Sequence, residues 1–187
     1  MANRHEVRLC GFGGQGIILA GYIIGQAASI FDGKSATFIQ DYGPEARGGA
    51  CRADVVISDE PVSYPYIHAP SLLVALSQPG YDKYRPRNRK DSLMIIDEEL
   101  VKHRETRKDK LFTIPSRRMA EELGRVAVAN IIVVGFLAAV TEIVSIEAIR
   151  ESVLTSVPKG TEELNTKALE KGYAYGREKL DSTRGLV

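Results

Sequence analysis

The residues with the clearest chemical spacing lie near the start of the chain, in CGFGGQGIILAG from Cys10 to Gly21. Gly11, Gly13 and Gly16 fit G-x-G-x-x-G, and an apolar run follows at once. Glycines so placed let the backbone take positive φ and approach a phosphate, while the start of the next helix favours an anion. Gly13, Gly14, Gln15 and Gly16 are therefore candidates to hold an anion or a dinucleotide. A dinucleotide site also needs an acid about 20 positions on, to take a ribose hydroxyl. Asp41 is the best candidate, and it comes late, 25 residues past Gly16. Tight packing of the first helix on a sheet would use the same glycines with no ligand.

A second glycine-bearing loop, DYGPEARGGA from Asp41 to Ala50, follows the next apolar strand. The guanidinium of Arg47 suits a phosphate or carboxylate taken bidentately, or an ion pair with Glu45 or a partner chain. Asp41, Tyr42, Glu45, Gly48 and Gly49 would line the same crevice, although a plain turn is the simpler account of Asp41 and Tyr42. Gln15 stands where it can hydrogen-bond across the two loops. A third feature is the run DKYRPRNRKD, in which Lys83, Arg85, Arg87, Arg89 and Lys90 lie beside Tyr81 and Tyr84. It reads first as a solvated loop, and otherwise as a docking site for an acidic partner or a contact for ligand phosphates.

Other chemistries lack their residues. No Ser/His/Asp arrangement has a recognisable spacing, and His5, His68 and His103 show no metal spacing. Cys10 and Cys51 are too few for a cluster held by four thiolates or for a structural zinc. No catalytic residue and no metal ligand is assigned. Two unpaired cysteines suit a reducing, cytoplasmic setting. A formal net charge of +1 gives no long-range pull toward nucleic acid or an anionic membrane.

These residues need elements to position them. At 187 residues, 44% hydrophobic and 26% charged, the chain fits one globular domain over 1–187, with 181–187 expected as a flexible tail. The start, MANRHEVRL, lacks the apolar core of a signal peptide. VAVANIIVVGFLAAV (Val126 to Val140) is shorter than the roughly 20 apolar residues of a membrane span, so it predicts a buried core helix. HEVRLCGFG, GIILAGYIIGQAASIF and SATFIQ read as strand, helix and strand, which predicts an adjacent parallel pair with a right-handed crossover. CRADVVIS, SLLVAL, SLMIID and KLFTIP predict further strands. Ser116 is expected to cap RRMAEEL, and Gly124 to end it. Two helices close the chain. SIEAIRESVLTSV carries a stripe of Ile146, Ile149, Val153 and Val157. TEELNTKALEKGYAYGREKL, capped by Thr161, has only the thin stripe Leu164, Ala168, Gly172 and Tyr175, so it is expected to cover little core and reach a partner. The fold class is α/β: three layers, α/β/α, around a mostly parallel or mixed sheet, with a Rossmann-like start and a helical C-terminal third.

YGPEARGGACRADVVIS (Tyr42 to Ser58) is the more specific signal. With GFGGQGIILAG and the ending VPKGTEELNTKALEKGY (Val157 to Tyr173), it resembles the gamma subunit of the 2-oxoacid:ferredoxin (acceptor) oxidoreductases over nearly the whole chain. The loop from Gly43 to Gly49 is similar to the 2-oxoglutarate and branched-chain types, and a pyruvate homologue stays open. A free-standing NAD(P)-binding Rossmann-like oxidoreductase is the alternative from another class, with Asp41 its best feature. The resemblance implies oxidative decarboxylation of a 2-oxoacid, 2-oxoglutarate to succinyl-CoA, on thiamine diphosphate, with electrons leaving through iron–sulfur clusters to ferredoxin. It implies that thiamine diphosphate and Mg²⁺ sit on alpha and beta chains, that clusters sit on partners such as a ferredoxin-like delta chain, and that this chain alone binds no cofactor. It implies a three-layer domain that packs on the catalytic core and helps enclose CoA as co-substrate. The glycine loops and Arg47 then become CoA-binding or interface candidates, and the isolated chain is expected to be inactive. An uncovered apolar docking face would also let isolated chains self-associate.

Overall fold

Strand β1 (Arg4–Phe12) alternates Val7 and Leu9 on one face with Glu6, Arg8 and Cys10 on the other. That alternation sets up two different sides of the sheet. In this computed structural model residues 4–42, 50–104 and 110–184 are described. Glu45, Arg47, Gly48 and Gly49 lie outside them, with Gly43, Pro44 and Ala46.

Beside β1 stand β2 (Ser35–Asp41), β3 (Ala50–Ser58), β4 (Leu72–Ala75), β5 (Leu93–Asp97) and β6 (Lys110–Ile114), in the order β2-β3-β1-β4-β5-β6. β1, β4, β5 and β6 pair in parallel, while β3 is antiparallel to both β1 and β2. The expected adjacent parallel pair of β1 and β2 is therefore corrected: β3 sits between them. Burial gives the reason. β3 is buried along most of its length, whereas β2 is half-buried almost throughout. The more apolar strand takes the interior and the other takes the edge.

One face of the sheet carries α1 (Ile17–Gln26), a π-helical turn at Ala27–Phe31, α3 (Ser116–Glu122), α4 (Ala129–Thr141), α5 (Ile146–Ser156) and α6 (Glu162–Arg184). α1 is apolar on nearly every side because β3, α4 and α5 all pack on it. Gly21 admits β3 closely, since a Cβ there would stand 2.5 Å from Ala53 Cβ. The other face holds α2 (Gln78–Tyr84), whose Tyr81 and Tyr84 are buried with Cys10, Leu73 and Met94. The layers are those expected, helices on both sides of a mixed sheet, but unequal in thickness.

The apolar stretch before Val140 divides: α4 is buried as expected, but it starts only at Ala129, and the 3-10 turn at Val126–Val128 before it leaves Val126 exposed. Among the described residues no helix is long and apolar enough to cross a membrane. Gly124 ends α3 with φ of 80°. Ser116, however, is not its cap: Pro115 holds that position, and the Ser116 hydroxyl donates to Asp97. Thr161 precedes Glu162, but its hydroxyl donates to Pro158 O and accepts from Asn165 Nδ2.

α6 needs a larger correction. It does not project away from the core: it lies along α4 and makes its closest packing there. Its thin stripe is an effect of glycine, because Gly172 abuts the backbone of Ile132 and Gly135 of α4 abuts that of Leu169. Small residues replace bulk with close approach. The helix continues to Arg184, and the expected tail beyond it lies outside the described residues.

Gly11 pairs with Cys51 across β1 and β3, yet the two thiols point to opposite faces. Burial pushes the Cys10 thiol far above its usual range and raises that of Cys51. Neither should react with Ellman's reagent in the native protein, and both should react in denaturant. Fast labelling of either thiol in the folded chain would contradict this burial.

Candidate functional site

The first glycine loop joins β1 to α1. Gly14 has φ of 95° and Gly16 has φ of 71°, both in the left-handed region. Gly16 is fixed from outside as well. Its carbonyl accepts from Asn130 Nδ2 at 3.2 Å, and a Cβ at position 16 would overlap that amide. At this residue the glycine serves a turn and a tight contact between the starts of α1 and α4.

Gln15 is a strut. Its Oε1 accepts from Phe12 N at 2.6 Å, and its Nε2 donates to Leu76 O at 2.9 Å. It ties the loop to the end of β4; a bridge from Gln15 to the second glycine loop would fall on residues outside the described ones. Asp97 was missed by sequence reasoning. Fully buried at the end of β5, it accepts from Glu99 N, Leu100 N and the Ser116 hydroxyl. The only signal was an acid closing the apolar run SLMIID.

Two cavities flank this loop. The first, about 640 Å³, sits at the carboxyl ends of β1 and β4. There the chain leaves β1 toward α1 on one face and leaves β4 toward α2 on the other, and such switch points are where open α/β sheets place ligands. Phe12, Gly14, Gln15, Leu76, Ser77 and Pro79 form one wall, and Ser116, Arg117, Val126 and Ala129 form another. Among the described residues no acid lines it, and Arg117 is the one charged residue of the lining. It therefore suits a ligand with an apolar body and an anionic group.

The second cavity, about 1000 Å³, opens on the far side of the loop. Gly13, Gly14 and Gly16 border it, with Tyr22, Phe38, Tyr42 and Cys51. Tyr42 is exposed, and its hydroxyl donates to Gln40 Oε1 at 3.4 Å. The structure thus gathers Gly13, Gly14, Gln15, Gly16 and Tyr42 around one ridge.

Asp41 stands apart. Cys10 and Asp41 both face Arg52, one from each side of β3, so Asp41 is two strands from the first loop. The inserted strand adds roughly 4.8 Å to the distance a ribose would have to span. Arg52 Nε also lies 3.4 Å from Asp41 Oδ2. That arrangement removes the main support for a dinucleotide. Among the described residues no group of three or more His, Cys, Asp or Glu could hold a metal ion.

The family model for pyruvate ferredoxin/flavodoxin oxidoreductase matches residues 6–175. The 2-oxoglutarate synthase subunit KorC of Methanocaldococcus jannaschii is 48% identical, over 94% of this chain and 95% of its own length. The pyruvate synthase subunit PorC of the same organism is 30% identical, over 90% and 94%. The crystal structure of the gamma subunit of a keto/oxoacid ferredoxin oxidoreductase from Geobacter sulfurreducens is similar with a TM-score of 0.84 and 40% identity, covering 92% of this chain and 96% of that one.

Proposed function

Since the chain belongs to the pyruvate ferredoxin/flavodoxin oxidoreductase family, we propose that it is the gamma subunit of a 2-oxoglutarate:ferredoxin oxidoreductase. One observation carries the substrate class: of two relatives from one organism, both matched over nearly their full length, the 2-oxoglutarate synthase subunit is much the nearer. In this reading the holoenzyme converts 2-oxoglutarate to succinyl-CoA. Thiamine diphosphate, Mg²⁺ and iron–sulfur clusters are held by alpha, beta and ferredoxin-like delta partners, and ferredoxin takes the electrons.

The part left to this chain is to pack on the catalytic core and to help enclose CoA. The cavity beside Gln15 and Arg117 supports that role, because CoA joins an apolar arm to anionic phosphates and the described residues of the lining include no repelling acid. In the same reading Glu45, Arg47, Gly48 and Gly49 of the second loop are candidates to bind CoA or a partner chain.

Expression of this chain alone should give no dye reduction with 2-oxoglutarate and CoA. Co-expression with the alpha and beta chains should restore it, with pyruvate a poorer substrate by about tenfold or more, the scale on which pockets separate such acids. Dye reduction by the isolated chain would end the subunit reading. Arg47→Ala should raise the Michaelis constant for CoA several-fold in the assembled enzyme and leave kcat nearly unchanged, as expected for loss of ground-state binding. An unchanged constant would reduce that loop to a packing surface.

A further inference from the structure

The face of β1 and β3 turned away from α1 carries a chemistry that CoA and the glycine loops do not use. Arg8, on β1, is only 1% exposed. Its Nε and Nη2 donate to the two carboxylate oxygens of Asp54, each at 2.7 Å, and Nη2 also donates to Ile67 O at 3.0 Å. The guanidiniums of Arg8 and Arg52 both approach the buried ring of Tyr84, at 5.2 and 5.8 Å from its centroid. Arg52 Nε lies 3.4 Å from Asp41 Oδ2 and 3.9 Å from Asp54 Oδ2, yet it makes no hydrogen bond among the described residues. A buried guanidinium N–H in that state is unusual.

Above these two arginines lies a concavity of about 560 Å³, closed at its sides by Arg87, Tyr64, Tyr66 and His68. Tyr64 and Tyr66 are 49% and 58% exposed. They are nonetheless ordered by their neighbours: their rings are 5.5 Å apart, and the Tyr64 hydroxyl is 3.2 Å from His68 Nε2. Arg87 has no ion pair or hydrogen bond among the described residues. It belongs to a run, Lys83 to Lys90, with five basic residues and no acid, in a chain whose net charge is only +1.

We propose that this concavity is the docking site for an acidic, extended segment of a partner subunit in the catalytic core. The proposal rests on the reading of the chain as one subunit of an assembly. Carboxylates of the segment meet Arg52 and Arg87, and its apolar parts cover Tyr64 and Tyr66. Charge complementarity selects the acidic partner. The tyrosines select a protein over a small anion, since a lone phosphate would pair with the arginines and leave both rings in water. Tyrosine and arginine are also the residues that dominate protein interfaces. Arg8 and Arg52 are already held by Asp54 and Tyr84, so little ordering remains for binding to impose.

The test measures the affinity of the full-length chain for the purified alpha/beta core. Arg87→Glu and Tyr66→Ala should each weaken binding by about tenfold or more. The Arg87→Glu loss should shrink at high salt, and Arg87→Gln should fall between it and the unaltered chain. Lys159→Glu makes the same charge change on an exposed turn elsewhere and should stay within about twofold. Arg87 and Tyr66 are exposed, so unchanged melting temperatures will show that the variants fold. If the core binds the unaltered chain and both variants equally, the docking site is wrong and the subunit reading stands. Failure of the unaltered chain to bind the core at all overturns both. Saturable binding of inorganic phosphate, lost in Arg87→Glu while core affinity is kept, makes this a small-anion site and also overturns the proposal.

Discussion

Gly172→Val is expected to destabilise the protein by about 4 kcal/mol, and Gly172→Ala by about 2 kcal/mol. A Cβ at position 172 would overlap the carbonyl of Ile132, and its next contacts, Ile132 C and Cα, are backbone too. No rotamer change can relieve that overlap, so α4 and α6 must separate or shift. Helix propensity acts the other way, since alanine is preferred to glycine by about 1 kcal/mol inside a helix. The clash should win because overpacking against rigid atoms lies at or above the top of its usual 1–3 kcal/mol range. In a protein of this size the alanine variant should lose about 4–8 °C in Tm. Gly135→Ala should behave alike, for it meets Leu169 O and Tyr173 N from the facing helix. Combining the two should cost less than their sum, because one separation relieves both clashes. Gly13→Ala is the contrast: among the described residues nothing lies within 4 Å of its Cβ position, and its stability should barely change. Differential scanning calorimetry on the five variants decides the point. A Gly172→Val protein that melts with the unaltered chain would mean that α6 does not pack on α4 in this way.

The same glycine shows where the sequence was hard to read. Periodicity weights bulky apolar side chains, and α6 holds α4 with residues that have almost none. A search for small residues at matching positions of two helices would have paired Gly135 with Gly172. Strand identity was legible, because β1, β3, β4 and β5 are short apolar runs broken by turn residues. Strand order was not. Whether β2 or β3 lies against β1 depends on which strand loses more apolar surface to water when buried on both sides, and local pattern cannot weigh that. The error mattered for function, since a β2 next to β1 would have carried Asp41 to the glycine loop and favoured a dinucleotide. Gln15 and Asp97 show a different limit. Both act through hydrogen bonds to backbone groups distant in sequence, and such bonds leave no spacing to find. The polar face of β1 and β3 was readable in principle. Glu6, Arg8, Arg52 and Asp54 alternate strictly with buried apolar residues, and the opposite charges of Arg8 and Asp54 meet because their strands are antiparallel neighbours in that register.

Asp54→Ala should be among the most damaging single changes in the chain, lowering stability by about 3–5 kcal/mol. It removes both strong acceptors from Arg8 and leaves a guanidinium at 1% exposure with the carbonyl of Ile67 as its one hydrogen-bond acceptor among the described residues, beside the ring of Tyr84. Burial disfavours the Arg8 charge, but the hydrogen bonds and charge of Asp54 more than offset this, holding the Arg8 pKa above its ordinary value. In the variant that support is gone, but a guanidinium stays protonated at neutral pH, so Arg8 cannot escape by losing its proton. Arg8→Met/Asp54→Val removes both charges and keeps an apolar filling, with a β-branched residue suited to β3. A buried pair is often replaceable in that way at little or no cost, so the double variant should recover most of the stability. Urea midpoints with slopes compared across the set will show it. If Asp54→Ala unfolds no sooner than the unaltered protein, the pair is not buried and bidentate in solution. If the double variant is stable but binds the alpha/beta core more weakly, stability is not the reason for the pair. Its role would then be to fix the floor of the arginine and tyrosine concavity, a task that an apolar pair of the same volume cannot perform.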